Sequence, residues 1–203
     1  MAQAQSTRAH RITFNSPVVL GFVLLCVAER LLSMVTGGAS TQAFFMTYHS
    51  SLSNPLTYVR FVTHAIGHGS WDHLVSNMAY ILLLGPLLEE KYGSRTLLEI
   101  MVLTALACGI VNYVLFPHQA LCGASGICFA FILLSSVTSL SEGEIPLTFL
   151  LVAALFLGQQ IVDAVVVRDN VSNLSHVIGG VVGASAGFAL SQNGNRGMRR
   201  STL

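Results

Sequence analysis

The chain has 203 residues, 53% hydrophobic and only 9% charged, with a formal net charge of +1. Soluble domains carry about 25% charged residues, so this is the composition of an all-α polytopic membrane protein, and a mean hydropathy of +0.67 agrees. The near-neutral charge suggests no nucleic-acid partner. Cys26, Cys108, Cys122 and Cys128 lie in or beside apolar runs without C-x-x-C spacing, which reads as packing rather than a disulfide framework.

A helical span needs ~20 mostly apolar residues, and six stretches fit. Residues 1–12 form a polar tail. The first span, 17–36, is too long for a cleavable signal and lacks a small-residue cleavage site. It ends at Thr36-Gly37-Gly38, with Glu29 and Arg30 where it meets the outer interface. The connection 37–71 mixes aromatic and polar residues, and a loop of that length is expected to carry its own structure or a function. The second span, 72–92, turns at Tyr92-Gly93-Ser94-Arg95 into the third, 96–116, which Phe116-Pro117-His118 closes. Ser141 to Pro146 separates the fourth span, 124–141, from the fifth, 146–166. Arg168-Asp169-Asn170 separates the fifth from the sixth, 174–192, and a second polar tail runs from 193 to 203. The expectation is one membrane domain over 1–203.

Lys and Arg favour the cytoplasmic side. Arg8, Arg11, Lys91, Arg95, Arg196, Arg199 and Arg200, seven of the ten basic residues, fall on one side of a six-span chain. The orientation read from this is N-in and C-in. The loop 37–71 and the turn 117–123 then face outward, and spans two, four and six all begin at the outer face.

Ionisable and polar groups inside spans are functional candidates by default. His73 and Asn77 stand at i and i+4 and share a helix face. Ser125, in Gly123-Ala124-Ser125-Gly126, opens the fourth span, and His176 stands near the start of the sixth. Topology brings all four to one depth near the outer surface. A serine hydroxyl is a poor nucleophile until a base takes its proton, and His176 can be that base. The attacked carbonyl becomes an oxyanion that needs donors. The Asn77 amide, the His73 ring and the Ser125 backbone N–H, at a helix start, can supply them. Gly179, Gly183 and Gly187 repeat every fourth residue, a small-residue stripe suited to close approach of helices, and Gly126 can meet it.

Blander readings stand beside these. Gly-flanked serines occur at ordinary helix contacts, and a lone His176 can be a core histidine. Ser185, in a second Gly-Ala-Ser, lies nine residues past His176 and about 13 Å along the axis, at ~1.5 Å per residue, and reads as packing. Asp163 reads as a capping or interface residue rather than a third triad member. His49, His64, His68 and His73 raise a metal site, but no H-E-x-x-H occurs and no carboxylate is spaced to complete one. No metal and no cofactor is expected, and His64 and His68 read as tying the outer loop to the mouth of the second helix. His10 and His118 read as solvated.

Taken together, these pieces resemble the rhomboid family of intramembrane serine proteases over about residues 58–190. "YVRFVTHAIGHGSWDHLVSN" resembles its arginine-then-histidine loop and H-x-x-x-x-H-x-x-x-N motif, here Arg60, His64, His68, His73 and Asn77. "GPLLEEKYGS" resembles its cytoplasmic turn, with Gly85, Glu89 and Gly93. "GASG" carries the nucleophile position, Ser125, and "SHVIGGVVG" carries the base position, His176, with the glycine stripe. The resemblance implies a minimal six-helix bundle in the lipid bilayer, in the plasma membrane of a prokaryote. It implies a Ser125–His176 dyad without a carboxylate, an oxyanion site from His73, Asn77 and the Ser125 N–H, and a water-filled cavity open to the outer side. Substrates would be transmembrane segments of other proteins, cut near their outer ends. Two positions depart from the family pattern: Phe129 stands where a tyrosine often packs on the histidine ring, and Pro86 replaces the second of two glycines before the turn. A catalytically silent relative that binds or escorts transmembrane clients is the alternative, disfavoured because serine and histidine are both retained. A small transporter is disfavoured because no inverted repeat or paired broken helices are seen. Substrate identity and oligomeric state are not legible.

Overall fold

Proline opens the first helix and glycines end it. In the computed structural model, which describes residues 14–137, 147, 150–152, 154–155, 158 and 170–201, α1 runs Pro17–Val35 with Pro17 in its first turn. Proline suits that position because its missing N–H would be unpaired there anyway. Gly37 and Gly38 follow with φ of 60° and 88°, a left-handed turn that glycine adopts without strain.

The long connection has the structure its length suggested. It holds α2, Ala39–Phe44, and α3, Pro55–Thr63, whose N-cap Asn54 accepts from the Leu56 N–H at 3.0 Å. Arg60 is buried there, donating Nε–H to the Ala43 carbonyl at 2.8 Å with its guanidinium 4.6 Å above the Tyr48 ring. Thr47 pairs with Leu121 in an isolated antiparallel bridge, with 2.9 Å hydrogen bonds each way. That bridge ties the connection to the turn before the candidate nucleophile. Glu29, near the end of α1, is buried, and its carboxylate accepts from the Thr41 hydroxyl at 2.5 Å and from the His68 N–H at 3.3 Å.

The remaining helices are α4 (Trp71–Tyr92), α5 (Ser94–Leu115), α6 (Ser125–Ser136) and α7 (Asn170–Ser201). By length and composition, α1, α5 and residues Asn173–Ser191 of α7 can cross a membrane. α4 matches the second expected span in position and, at 22 residues, in length, but carries Asp72, Glu89, Glu90 and Lys91 near its ends. The described part of the fourth expected span is the 12-residue α6. Its C-terminal end and most of the fifth expected span, Asp163 included, lie outside the described residues. Among the described residues the architecture is all-α, without strands.

The core is narrow and the outside is oily. Ile81, Leu88, Leu97, Phe131 and Leu134 are buried, whereas Leu24, Leu25, Leu83, Leu87, Leu103 and Val114 stand exposed on α1, α4 and α5. Apolar side chains facing outward on long helices are what a lipid solvent requires, since helices satisfy their own backbone groups there. Glycines let the helices close. A Cβ on Gly85 would lie 2.7 Å from Val19 Cγ2 and 3.3 Å from Phe131, so α1, α4 and α6 meet at that point. α6 packs most extensively on α7. There a Cβ on Gly179 would strike the Gly126 carbonyl, one on Gly183 the Ala130 carbonyl, and one on Gly187 the Val137 side chain. The small-residue stripe read from the sequence therefore faces α6 throughout.

At the end of α4 opposite the site, Glu89 reaches α1. Its carboxylate accepts from the Val18 and Val19 N–H groups, both at 3.0 Å, and from the Ser94 hydroxyl at 2.6 Å. The first N–H groups of a helix lack intrahelical partners, so one side chain caps α1 and fixes the turn between α4 and α5.

Candidate active site

Three helices build the site. The Ser70 hydroxyl caps α4 by accepting from the His73 N–H at 3.1 Å, which sets where His73 and Asn77 fall on the first two turns. Gly123, at φ 121°, turns the chain into α6, and its N–H donates to the His64 carbonyl at 2.9 Å. A Cβ on Gly123 would lie 2.6 Å from His73 Cε1 and Nε2 and 3.6 Å from Asn77 Nδ2. Only glycine, then, lets the start of α6 rest against those two side chains. On the other flank, Gly126 and Gly179 bring α6 and α7 together one residue past Ser125 and three past His176.

The result is one cavity of about 300 Å³ lined by His73, Asn77, Ser125 and His176 together with Ser76, Tyr80, Cys128, Phe129 and Ile132. The four polar residues singled out from the sequence meet here, from α4, α6 and α7. The Phe129 ring lies against His176 with centroids 4.2 Å apart and planes tilted by 40°. The phenyl ring thus makes the ring contact at the position where the family often has tyrosine. Ser185 is exposed on α7 and does not line the cavity.

The other residues of the expected set surround the site. His64 is buried and donates Nε2–H to the Ala105 carbonyl at 2.9 Å. Burial lowers its pKa from 6.5 to about 4, so the ring is neutral at physiological pH. His68 is fully buried and donates Nδ1–H to the Ile66 carbonyl at 2.9 Å. The His64 bond joins the connection to α5, whereas the His68 bond to Ile66 stays within the connection. Arg60 and Glu89 lie elsewhere, in the connection and at the opposite end of α4. Among the described residues no cluster of three or more His, Cys, Asp or Glu side chains could hold a metal ion.

Sequence reading missed the side chains around Asn77. Its amide nitrogen lies 3.1 Å from His68 Nε2, and Cys128 Sγ lies 3.4 Å from its backbone carbonyl and 3.7 Å from its amide oxygen. His68 was visible in the motif, but its contact crosses a loop, and the Cys128 contact joins two helices, so no periodicity announces either.

Acyl transfer calls for a hydroxyl, a base and N–H donors, and this cavity is lined by two serines, two histidines and an asparagine. Comparison with known proteins bears on this arrangement. The family model described as the Rhomboid domain matches residues 55–193. Among similar proteins, "Rhomboid protease GlpG" of Yersinia pestis is 26% identical over 184 residues, covering 89% of this chain and 65% of that protein. Its namesake in Yersinia pseudotuberculosis aligns with the same figures. "Rhomboid-like protein 11, chloroplastic" of Arabidopsis thaliana is 24% identical over 149 residues, covering 66% of this chain and 53% of that protein. The chain therefore spans between about half and two thirds of the length of these relatives.

Proposed function

Because the chain belongs to the rhomboid family and is an integral membrane protein, we propose that it is an intramembrane serine endopeptidase that cuts transmembrane segments of other membrane proteins near their outer ends. The observation that carries this reading is the meeting of Ser125, His176, His73 and Asn77 on one cavity. In this reading His176 takes the proton from Ser125 Oγ as the oxygen attacks the scissile carbonyl. The carbonyl oxygen becomes an oxyanion, and His73, the Asn77 amide and the Ser125 backbone N–H donate to it. The imidazolium then gives its proton to the leaving amine, which departs and leaves an acyl-serine. Water, deprotonated by His176, attacks that ester, and the imidazolium returns the proton to Ser125 Oγ as the carboxyl product leaves. No carboxylate takes part; contact with Phe129 holds the His176 ring.

A cavity shallow on the outer side supplies the water, which is why a nucleophile can work at the edge of a bilayer. That placement needs the six-span, N-in and C-in topology argued from the basic residues. Single cysteines at Ser94 and Gln119, in a background without native cysteines, should label from opposite sides of sealed vesicles, and same-side labelling would overturn it. The proposal extends to the plasma membrane of a prokaryote, in keeping with bacterial relatives that align over 89% of the chain.

The direct test is cleavage of a purified transmembrane substrate in liposomes. Wild type should cut it, Ser125→Ala should not, and Ser185→Ala should behave as wild type. Wild-type cleavage by Ser125→Ala would end the assignment at that residue.

A further inference from the structure

The Asn77 carboxamide is a planar group with two different ends, and an oxyanion donor works only with the nitrogen end toward the reacting oxygen. The contact with His68 decides which end faces where. His68 Nδ1 lies 2.9 Å from the Ile66 carbonyl, which can only accept, so that nitrogen carries the ring proton. Nε2 is then a lone-pair acceptor, and the atom 3.1 Å from it is Asn77 Nδ2. On the other side Cys128 Sγ lies 3.4 Å from the Asn77 backbone carbonyl and 3.7 Å from Asn77 Oδ1, so its one S–H has both acceptors within reach. One amide N–H is therefore committed to His68, and the second is left for the cavity that Asn77 lines.

His68 itself cannot move easily. It is 0% exposed, its N–H donates to the Glu29 carboxylate at 3.3 Å, and its carbonyl accepts from Arg30 at 3.4 Å. Both partners belong to α1, which contributes no side chain to the cavity. The His68 ring also stands edge-on to His73, with centroids 5.0 Å apart. It thus stands against both side-chain oxyanion donors of the proposed set, Asn77 and His73. Resting on the reading above, we propose that His68 is a positioning residue for the reaction, which fixes the Asn77 amide with its free N–H toward the oxyanion and couples that donor to α1 through Glu29 and Arg30. Burial, with smaller contributions from His73 and Arg30, lowers the His68 pKa to about 4, so the acceptor form of the ring persists at neutral pH.

The test is a double-mutant cycle on kcat for a transmembrane substrate, with thermal unfolding measured on every variant. His68→Leu removes the acceptor and should lower kcat by roughly 10- to 100-fold with little change in KM, the scale of a misplaced oxyanion donor. His68→Gln offers an acceptor oxygen and should recover most of that loss. In the Asn77→Ala background His68→Leu should cost almost nothing more, because there is no amide left to orient. Cys128→Ala is the second probe, since it removes the thiol beside Asn77 while leaving His68 in place. Its smaller loss should also vanish in Asn77→Ala, which keeps the proposal open to refutation if His68→Leu fails to fold. Equal fold-losses in both backgrounds, from either substitution, would make these residues structural and overturn the proposal. Wild-type kcat in Asn77→Ala alone would remove Asn77 from the oxyanion site and sink the proposal with that reading. Loss in Asn77→Ala without coupling to His68 or Cys128 would sink the proposal only.

Discussion

The contact between Gly126 and Gly179 sits between the proposed nucleophile and its base, so Gly179→Ala should damage catalysis through geometry alone. An ideal Cβ at Gly179 would lie 2.7 Å from the Gly126 carbonyl carbon and 3.0 Å from its Cα, where ordinary contact begins near 3.4 Å. The obstructing atoms are backbone and cannot rotate away. The carbonyl carbon must retreat by about 0.7 Å (3.4 minus 2.7) and its oxygen by more, so α6 and α7 must part by roughly 1 Å. Ser125 moves with one helix and His176 with the other. A misplacement of about 1 Å at reacting groups can cost ~10²-fold in rate, and overpacking of this kind typically costs about 1–3 kcal/mol of stability. Gly21, on α1, has nothing within 4 Å of an added Cβ, so Gly21→Ala is the control and should be neutral or slightly stabilising. The assay is kcat on a reconstituted transmembrane substrate beside thermal unfolding of both variants. Gly179→Ala with wild-type kcat and wild-type stability would refute the claim that this approach sets the dyad.

Three further outcomes are expected. Phe129→Tyr should keep most activity, because the ring contact with His176 at 4.2 Å is retained, whereas Phe129→Ala should lower kcat more than it raises KM. Glu89→Gln keeps one acceptor oxygen but turns the other end of the side chain into a donor facing N–H or O–H donors. It should destabilise by about 1–3 kcal/mol in unfolding measurements, with kcat of the folded fraction little changed. His64 titrates at about 4 when folded against 6.5 when free, so the unfolded chain binds the extra proton between those values. Stability from this group is then complete above pH 6.5 and falls as pH drops toward 4, by an amount on the order of 3 kcal/mol. His64→Gln should flatten that slope of melting temperature against pH.

Much of the candidate site was legible because the proposed six-span topology constrains it. Once alternate connections are assigned to alternate sides, the starts of the second, fourth and sixth spans share a depth, and His73, Asn77, Ser125 and His176 share it too. The i, i+4 spacing then puts His73 and Asn77 on one face, and the Gly179, Gly183 and Gly187 repeat marks the face α7 turns to α6. The connection 37–71 could be flagged by length, and Asn54-Pro55 carries the cap of α3, but its burial of Arg60 against Tyr48 rests on contacts with no sequence period. The partners of Glu29 are hidden for the same reason. A carboxylate near the end of an apolar run reads as interfacial, and only the fold shows Thr41 and His68 delivering donors to it. Glu89 capping α1 from 70 and 71 residues away is equally invisible along the chain.

The account stands or falls on Ser125 being a nucleophile activated by His176. A fluorophosphonate probe, followed by mass-spectrometric mapping of the modified peptide, reads that directly in the folded, membrane-embedded protein. The adduct should map to Ser125, disappear in Ser125→Ala and His176→Ala, and persist with slowed formation in Asn77→Ala. An adduct on another serine, or labelling of Ser125 undiminished in His176→Ala, would contradict the proposed dyad.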